Sequence, residues 1–315
     1  QEQLDNVDAP IDPWHIFFFK CCIIMDKKTE NGISKSSSPP FAAVSNGQIP
    51  SGTDAYKFHM VIGFIGLTVA YFAIIGLFAD VIQPWLNLPP SSPDLCPDDP
   101  TKQPCWRADL LSFEVTSGVS LMWSAWIGFY SWHVTRNVHQ YATSRDGRLF
   151  GYLPEAHQLT AIGTTFQLFD LFVSFLIPEQ RQWIFLCHHI MAATVSWYGL
   201  NNQYFHYYGV FFLGCSEIST GPLIFIDLAK FFPPVKGTTF DTVVELCGPL
   251  FAITFTYYRV ILWWKVSFRM FQDIYEAIQD GTAEQLRPGR SHVLHVMCVL
   301  NLLLGCLQLY WFSII

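Results

Sequence analysis

The sequence predicts an all-α fold, a polytopic membrane helical bundle of about seven transmembrane helices, on three observations. The 315 residues are 51% hydrophobic and 17% aromatic with only 14% charged, a balance foreign to water-soluble domains of this size. Seven separated stretches approach the ~20 apolar residues that a bilayer core of roughly 30 Å demands of a helix. The alternation of period two that marks a membrane barrel is absent, and only helices or closed barrels satisfy their backbone in hydrocarbon. A soluble enzyme is therefore the wrong class. With 18 Lys and Arg against 25 Asp and Glu and a net charge of −7, no basic surface is available to neutralise nucleic-acid phosphates. The nine cysteines are too scattered for a small disulfide scaffold, and no CxxC pair stands at zinc spacing.

In chain order, residues 1–58 read as an N-terminal tail and 59–315 as the transmembrane domain. The chain opens at Gln1 without a visible cleavable signal. Residues 1–13 are acidic and polar, and 31–53 are rich in Ser, Pro and Gly, so both read as tail or linker. Between them Trp14 to Met25 is too short to span but apolar enough to lie in the headgroup layer. Its Cys21 and Cys22 read as part of an interfacial anchor, with reversible acylation as the alternative.

The expected spans run approximately from His59 to Gln83, Leu110 to His133, Leu159 to Ile177, Trp183 to Leu200, Phe205 to Phe231, Thr242 to Lys265 and His292 to Ile315. Seven crossings place twelve Lys and Arg on the N-terminal side and five on the other, with Arg259 inside a span. By the positive-inside rule the N-terminus is cytosolic, or its topological equivalent, and the C-terminus lies on the far face. The run from Asp94 to Cys105 then falls on the far side, where Cys96 and Cys105 are either free or paired in an oxidising lumen. After the sixth span, Trp264, Phe268, Phe271, Ile274, Tyr275 and Ile278 recur at helical spacing with Lys265, Arg269, Asp273 and Glu276 between them. An amphipathic surface helix is expected there, stopped by Gly281.

Ionisable groups in hydrocarbon are costly and face protein or a wet cavity. Here they fall on stripes. Thr160, Gly163, Gln167, Asp170 and Ser174 share one face of the third span; His206, Gly209, Ser216, Thr220 and Asp227, with Glu217 adjacent, share one of the fifth; Glu245, Gly248, Ala252, Thr256 and Arg259 line the sixth. Ser117, Ser120, Ser124, Gly128 and Ser131 in the second span, and Asn301, Gly305 and Gln308 in the last, read as seams for close helix packing.

His188 and His189 lie about six residues from the far end of the fourth span, and Asp170 about seven from that end of the third, so the carboxylate and the imidazoles share a depth. Asp170 accepting a hydrogen bond from one imidazole would fix its tautomer and leave the other nitrogen as a base; mutual satisfaction between packed helices is the plainer reading. For Glu217 and Arg259, also at comparable depths, a structural ion pair is the first expectation.

From His188 to Lys230 the run HHIMAATVSWYGLNNQYFHYYGVFFLGCSEISTGPLIFIDLAK resembles the signature region of the TLC-domain membrane proteins, the family that includes the ceramide synthases. The resemblance is strongest over 110–265. It rests on a His pair early in a span, a run of small and aromatic residues, Asn201 and Asn202, and a following span with an acidic residue closing in DLAK. It implies a bundle enclosing a lipid or acyl chain, and a His pair serving acyl transfer from acyl-coenzyme A as co-substrate, with no resident cofactor and no metal. Only His188 and His189 inherit that role, supported by Asp170, with Gln167, Ser216, Glu217, Thr220 and Arg259 expected around the cavity. Where the synthase branch has a second His–Asp pair, this chain has Ser216 and Glu217. CSEISTGP is more similar to members outside that branch, several of which are associated with phospholipid composition or cargo handling.

The function expected is thus an integral membrane protein that binds or regulates lipids, or transfers an acyl group. The alternative is a non-catalytic subunit of a larger membrane assembly, held by membrane-protein partners. Family precedent implies the endoplasmic reticulum, with an organellar inner membrane as the other compartment. Haem or metal chemistry at His292 and His295 is disfavoured, because these lie at the opposite end of the bundle from His188 and His189. A seven-helix receptor is disfavoured by the inverted topology and by the absence of DRY and NPxxY patterns at span ends.

Overall fold

The computed structural model describes residues 53–82, 107–232 and 234–315. The interfacial segment with Cys21 and Cys22, the Ser/Pro-rich linker up to residue 52, and the Cys96–Cys105 loop lie outside the described residues. Among the described residues the secondary structure is helical throughout, and each expected span is a helix or a broken run of helices. In order these are α1 (Thr53–Leu77), α2 (Ala108–Phe129), the short α3 (Arg145–Phe150), α4 (Pro154–Ser174), α5 (Trp183–Asn202), α6 (His206–Phe212), α7 (Thr220–Phe231), α8 (Thr239–Phe255), α9 (Trp263–Gln279), α10 (Thr282–Leu286) and α11 (His292–Phe312).

Tyr56–Val81, His206–Lys230, Thr239–Gln279 and His292–Phe312 are long and apolar enough to cross a membrane. The helices α2, α4 and α5 are 22, 21 and 20 residues long, close to 30 Å at 1.5 Å per residue. They are less apolar because they bury polar groups inside the bundle: Ser112, Glu114 and Ser117 on α2, Thr160, Thr164 and Asp170 on α4, His189 and Ser196 on α5. The helix α4 packs against α1, α2 and α5. Below, the near face is the end where α1 begins and the far face is the end where α2 begins.

Two departures from regular helix shape the interior. The fifth span is broken: α6 stops at Phe212, and a tight turn over Cys215–Ser219 precedes α7. The cause is a backbone contact. A Cβ built on Gly128 of α2 would stand 2.4 Å from the Gly214 carbonyl carbon, and one on Gly214 would stand 2.6 Å from the Gly128 Cα. Two glycines let the chains touch, as the second-span seam anticipated, and the segment after Gly214 is displaced to carry Ser216 and Glu217. The sixth span is longer than expected. It continues through a wide turn at Thr256–Leu262 directly into α9, so the amphipathic helix and the span are one rod.

The stop at Gly281 stands, with φ +74° there, a backbone that favours glycine. The expected division of α9 into faces is corrected. Phe268 and Tyr275 are each 65% exposed, whereas Asp273 is buried with Met270, Ile274 and Ala277. The reason is a partner distant in sequence. Arg148 of α3 donates from Nε and Nη2 to the two Asp273 oxygens at 2.6 Å each, and from Nη1 to the Ala142 carbonyl at 2.5 Å. Tyr208 Oη donates to Asp273 as well. Around this fork Leu149, Tyr204, Phe205, Met270, Leu294 and Met297 form the near-face core. At the far face Arg107 bridges Asp109 and Glu179 at 2.6 Å, tying the start of α2 to the α4–α5 connection.

Candidate functional site

Asp170 on α4 and His189 on α5 meet as their shared depth suggested. His189 Nδ1 lies 2.9 Å from Gln167 Oε1 and 3.2 Å from Asp170 Oδ2. With oxygens on that side, Nδ1 carries the proton and Nε2 keeps its lone pair. Asp170 Oδ1 is buried and has no hydrogen-bond partner.

The neighbouring imidazole is placed differently. His188 lines a cavity, while Asp170 and His189 stand behind its wall. The His188 ring sits edge-to-face against Trp311 at 5.1 Å, and its Nδ1 is buried without a partner. One helical residue apart, the two rings are 5.4 Å between centroids.

The cavity holds about 70 Å³, several times the ~10–15 Å³ that one water needs on this measure. It is elongated. Lining residues run from His188 to Gly199 on α5 and from Met297 to Gln308 on α11, a stretch of twelve residues on each helix, or about 16 Å of rise. Toward the near face the wall is Tyr204, Phe205, Tyr208, Met270 and Met297; at mid-depth and beyond it is Gln167, His188, Ser216, Glu217, Arg259, Asn301 and Gln308.

Glu217 and Arg259 form the expected ion pair, with Arg259 Nη2 2.8 Å from Glu217 Oε2. The broken fifth span and the wide turn bring them together. Arg259 Nε donates to the Ser216 carbonyl at 3.0 Å and to Ser219 Oγ at 2.9 Å, so the backbone opened by the break has a donor. Thr220 is not on the cavity wall; its hydroxyl donates to Glu217 Oε2 at 2.7 Å and accepts from Arg259 Nη2 at 2.9 Å.

Several residues were not singled out as functional from the sequence. Asn301 and Gln308, read as packing, line the cavity with Oδ1 and Oε1 buried and unpartnered. Trp263 does the same with Nε1. A polar side chain in mid-span was the available signal for the two amides; nothing local marks Trp263. Glu114, 7% exposed inside α2, also went unread. On the fifth-span stripe, His206 faces away from this site: its Nδ1 accepts from the Leu153 amide at 3.0 Å, and its ring lies 5.8 Å from that of His157. His292 and His295 begin α11 at the near face. Among the described residues no three His, Cys, Asp or Glu side chains group as metal ligands.

Helices that bury an imidazole–carboxylate pair and an ion pair beside an elongated hollow define a polytopic helical membrane protein with a partly polar internal cavity. The chain belongs to the TLC domain family, that of TRAM, LAG1 and CLN8, whose family model matches residues 114–315. That match runs from α2 through α11, beyond the region of the sequence resemblance, and takes in both amides of the last helix. No curated protein and no solved structure matches the chain.

Proposed function

We propose that this protein handles lipid, taking the polar end of an amphiphile and the adjoining part of its chain into the bundle. One observation carries the reading. The hollow is long and narrow, aromatic and apolar toward the near face, and polar where His188, the Glu217–Arg259 pair, Asn301 and Gln308 stand. A largely apolar concavity with a few convergent polar groups suits an amphiphilic ligand. Membership of a family often concerned with lipids agrees with it, and the endoplasmic reticulum is the compartment that precedent favours.

The test is extraction and mass identification of lipid from purified protein, beside a variant that fills the hollow. Gly209 lines the cavity, and a Cβ there meets nothing within 4 Å, so Gly209→Leu occupies the space without a backbone clash. A defined lipid on the wild type and its loss from Gly209→Leu are expected. Wild-type protein free of lipid but holding stoichiometric protein partners would favour the non-catalytic subunit instead.

A second reading, acyl transfer, is favoured by the position of His188 on the wall. There its imidazole would take the proton of an attacking hydroxyl or amine as the acyl carbon–sulfur bond of an acyl-coenzyme A breaks, and coenzyme A would leave as the thiol with that proton. His189, held by Asp170, would position its neighbour. His188→Ala should abolish transfer while leaving the bundle folded.

A further inference from the structure

We infer that the lipid received by this hollow carries an electrically neutral polar end that both donates and accepts hydrogen bonds, a hydroxyl or an amide, in preference to an acidic headgroup. The inference rests on the lipid reading above and deepens it.

The charge on the wall is already balanced. Arg259 and Glu217 are the cation and the anion that line the cavity, and they are bound to each other at 2.8 Å. Arg259 is further held through Nε by Ser216 and Ser219. A phosphate or carboxylate entering here would have to draw the guanidinium away from Glu217, or sit beside that carboxylate without a counter-charge. Inside a bilayer both are costly. Among the described residues no carboxylate lies within hydrogen-bond distance of His188 to hold a second positive charge in place, and Asp170 is engaged with His189.

What the wall lacks is neutral partners. Asn301 Oδ1, Gln308 Oε1, His188 Nδ1 and Trp263 Nε1 are buried, lie on lining residues and have no hydrogen-bond partner. The set mixes an obligate donor, the indole N–H, with carbonyl acceptors and an imidazole nitrogen that serves either way. Tyr204 Oη, nearer the near face, is a fifth, so five of the fourteen buried unpartnered side-chain polar atoms among the described residues lie on this one wall. Since such atoms are usually satisfied in native proteins, the cluster suits a ligand that supplies what is missing. A hydroxyl or amide both donates and accepts; a fully ionised phosphate only accepts and brings negative charge besides.

The experiment uses the full chain in detergent, titrated with a monoacylglycerol and with a lysophosphatidate of the same acyl chain, and read by native mass spectrometry and thermal shift. The monoacylglycerol should bind at least about tenfold more tightly, a difference of ~1.4 kcal/mol. Glu217→Gln uncovers the cation and should move the preference toward lysophosphatidate. Should that variant not fold, Asn301→Leu serves: it should weaken monoacylglycerol binding severalfold and leave lysophosphatidate unchanged. Equal binding of both lipids by the wild type, with both displaced in Gly209→Leu, would overturn neutral selectivity and leave lipid binding intact. Binding of neither would remove the lipid reading itself.

Discussion

His189 is held by Asp170 on the side of its ring that carries the proton, 3.2 Å from Nδ1 to Oδ2, while His188, the next residue, faces the hollow. The two imidazoles therefore have separable consequences. Asp170→Ala removes the buried carboxylate beside His189 Nδ1, whose hydrogen bond to Gln167 Oε1 remains, and should lower stability by about 1 kcal/mol. His188→Ala should change stability less and alter the bound lipid more. Unfolding midpoints and co-purified lipid measured on both variants check this, and a reversed pattern would place His189 at the ligand.

The fork between Arg148 and Asp273 fastens α3 to the near-face helix α9 from positions 125 residues apart. Arg148→Ala takes two strong hydrogen bonds from a buried carboxylate, leaving as its cation only the distant Arg269 Nε at 3.8 Å, and should cost about 3 kcal/mol. Arg148→Lys keeps the charge but loses the two-pronged geometry, and should fall between wild type and Ala in chemical unfolding.

At the Gly128–Gly214 contact any added carbon meets backbone, which cannot swing aside. Gly128→Val should destabilise by at least about 1–3 kcal/mol. Gly209→Ala, with open space around its Cβ, should be neutral or slightly stabilising. Equal thermal shifts for the two would mean that the broken span does not depend on this approach.

Asp280, at the end of α9 on the near face, is drawn down from 3.8 to about 2 by the hydrogen bonds of Thr282 and then of Arg145. The Thr282 amide donates at 2.9 Å and Arg145 Nη1 at 2.5 Å. Its ionised form is favoured in the fold, so the stabilisation is complete above the unfolded value near 3.8 and fades as pH falls toward about 2. The stability gap between wild type and Asp280→Asn should be constant from neutral pH to about 5 and close below it. A gap that widened on acidification would contradict the assignment.

Hydropathy located the four segments that are long and apolar enough to cross a membrane, because some twenty largely apolar residues leave the chain few alternatives. The helices α2, α4 and α5, diluted by buried polar groups, were legible as helices more than as apolar runs, and the shared depth of Asp170 and His189 followed from counting along antiparallel helices. What stayed hidden depended on contacts between distant segments. Gly214 after Leu213 is only a weak local signal of a break; it takes Gly128, far away in sequence, to meet it. Asp273 sits among surface-type residues and turns inward only because Arg148 waits there. Asn301 and Gln308 were visible, but whether a mid-span amide packs or lines a void is decided by its neighbours' volumes.

The wide turn at 256–262 also sets the angular phase between the two halves of one continuous rod. Each residue of an α-helix advances the next by about 100°, so deleting a single residue from that turn would spin everything after it. Asp273 would swing off Arg148 and Met270 out of the core, while the preceding membrane segment kept its own orientation. Arg259 thus sits at the crank of a shaft whose distal alignment is set by local irregularity.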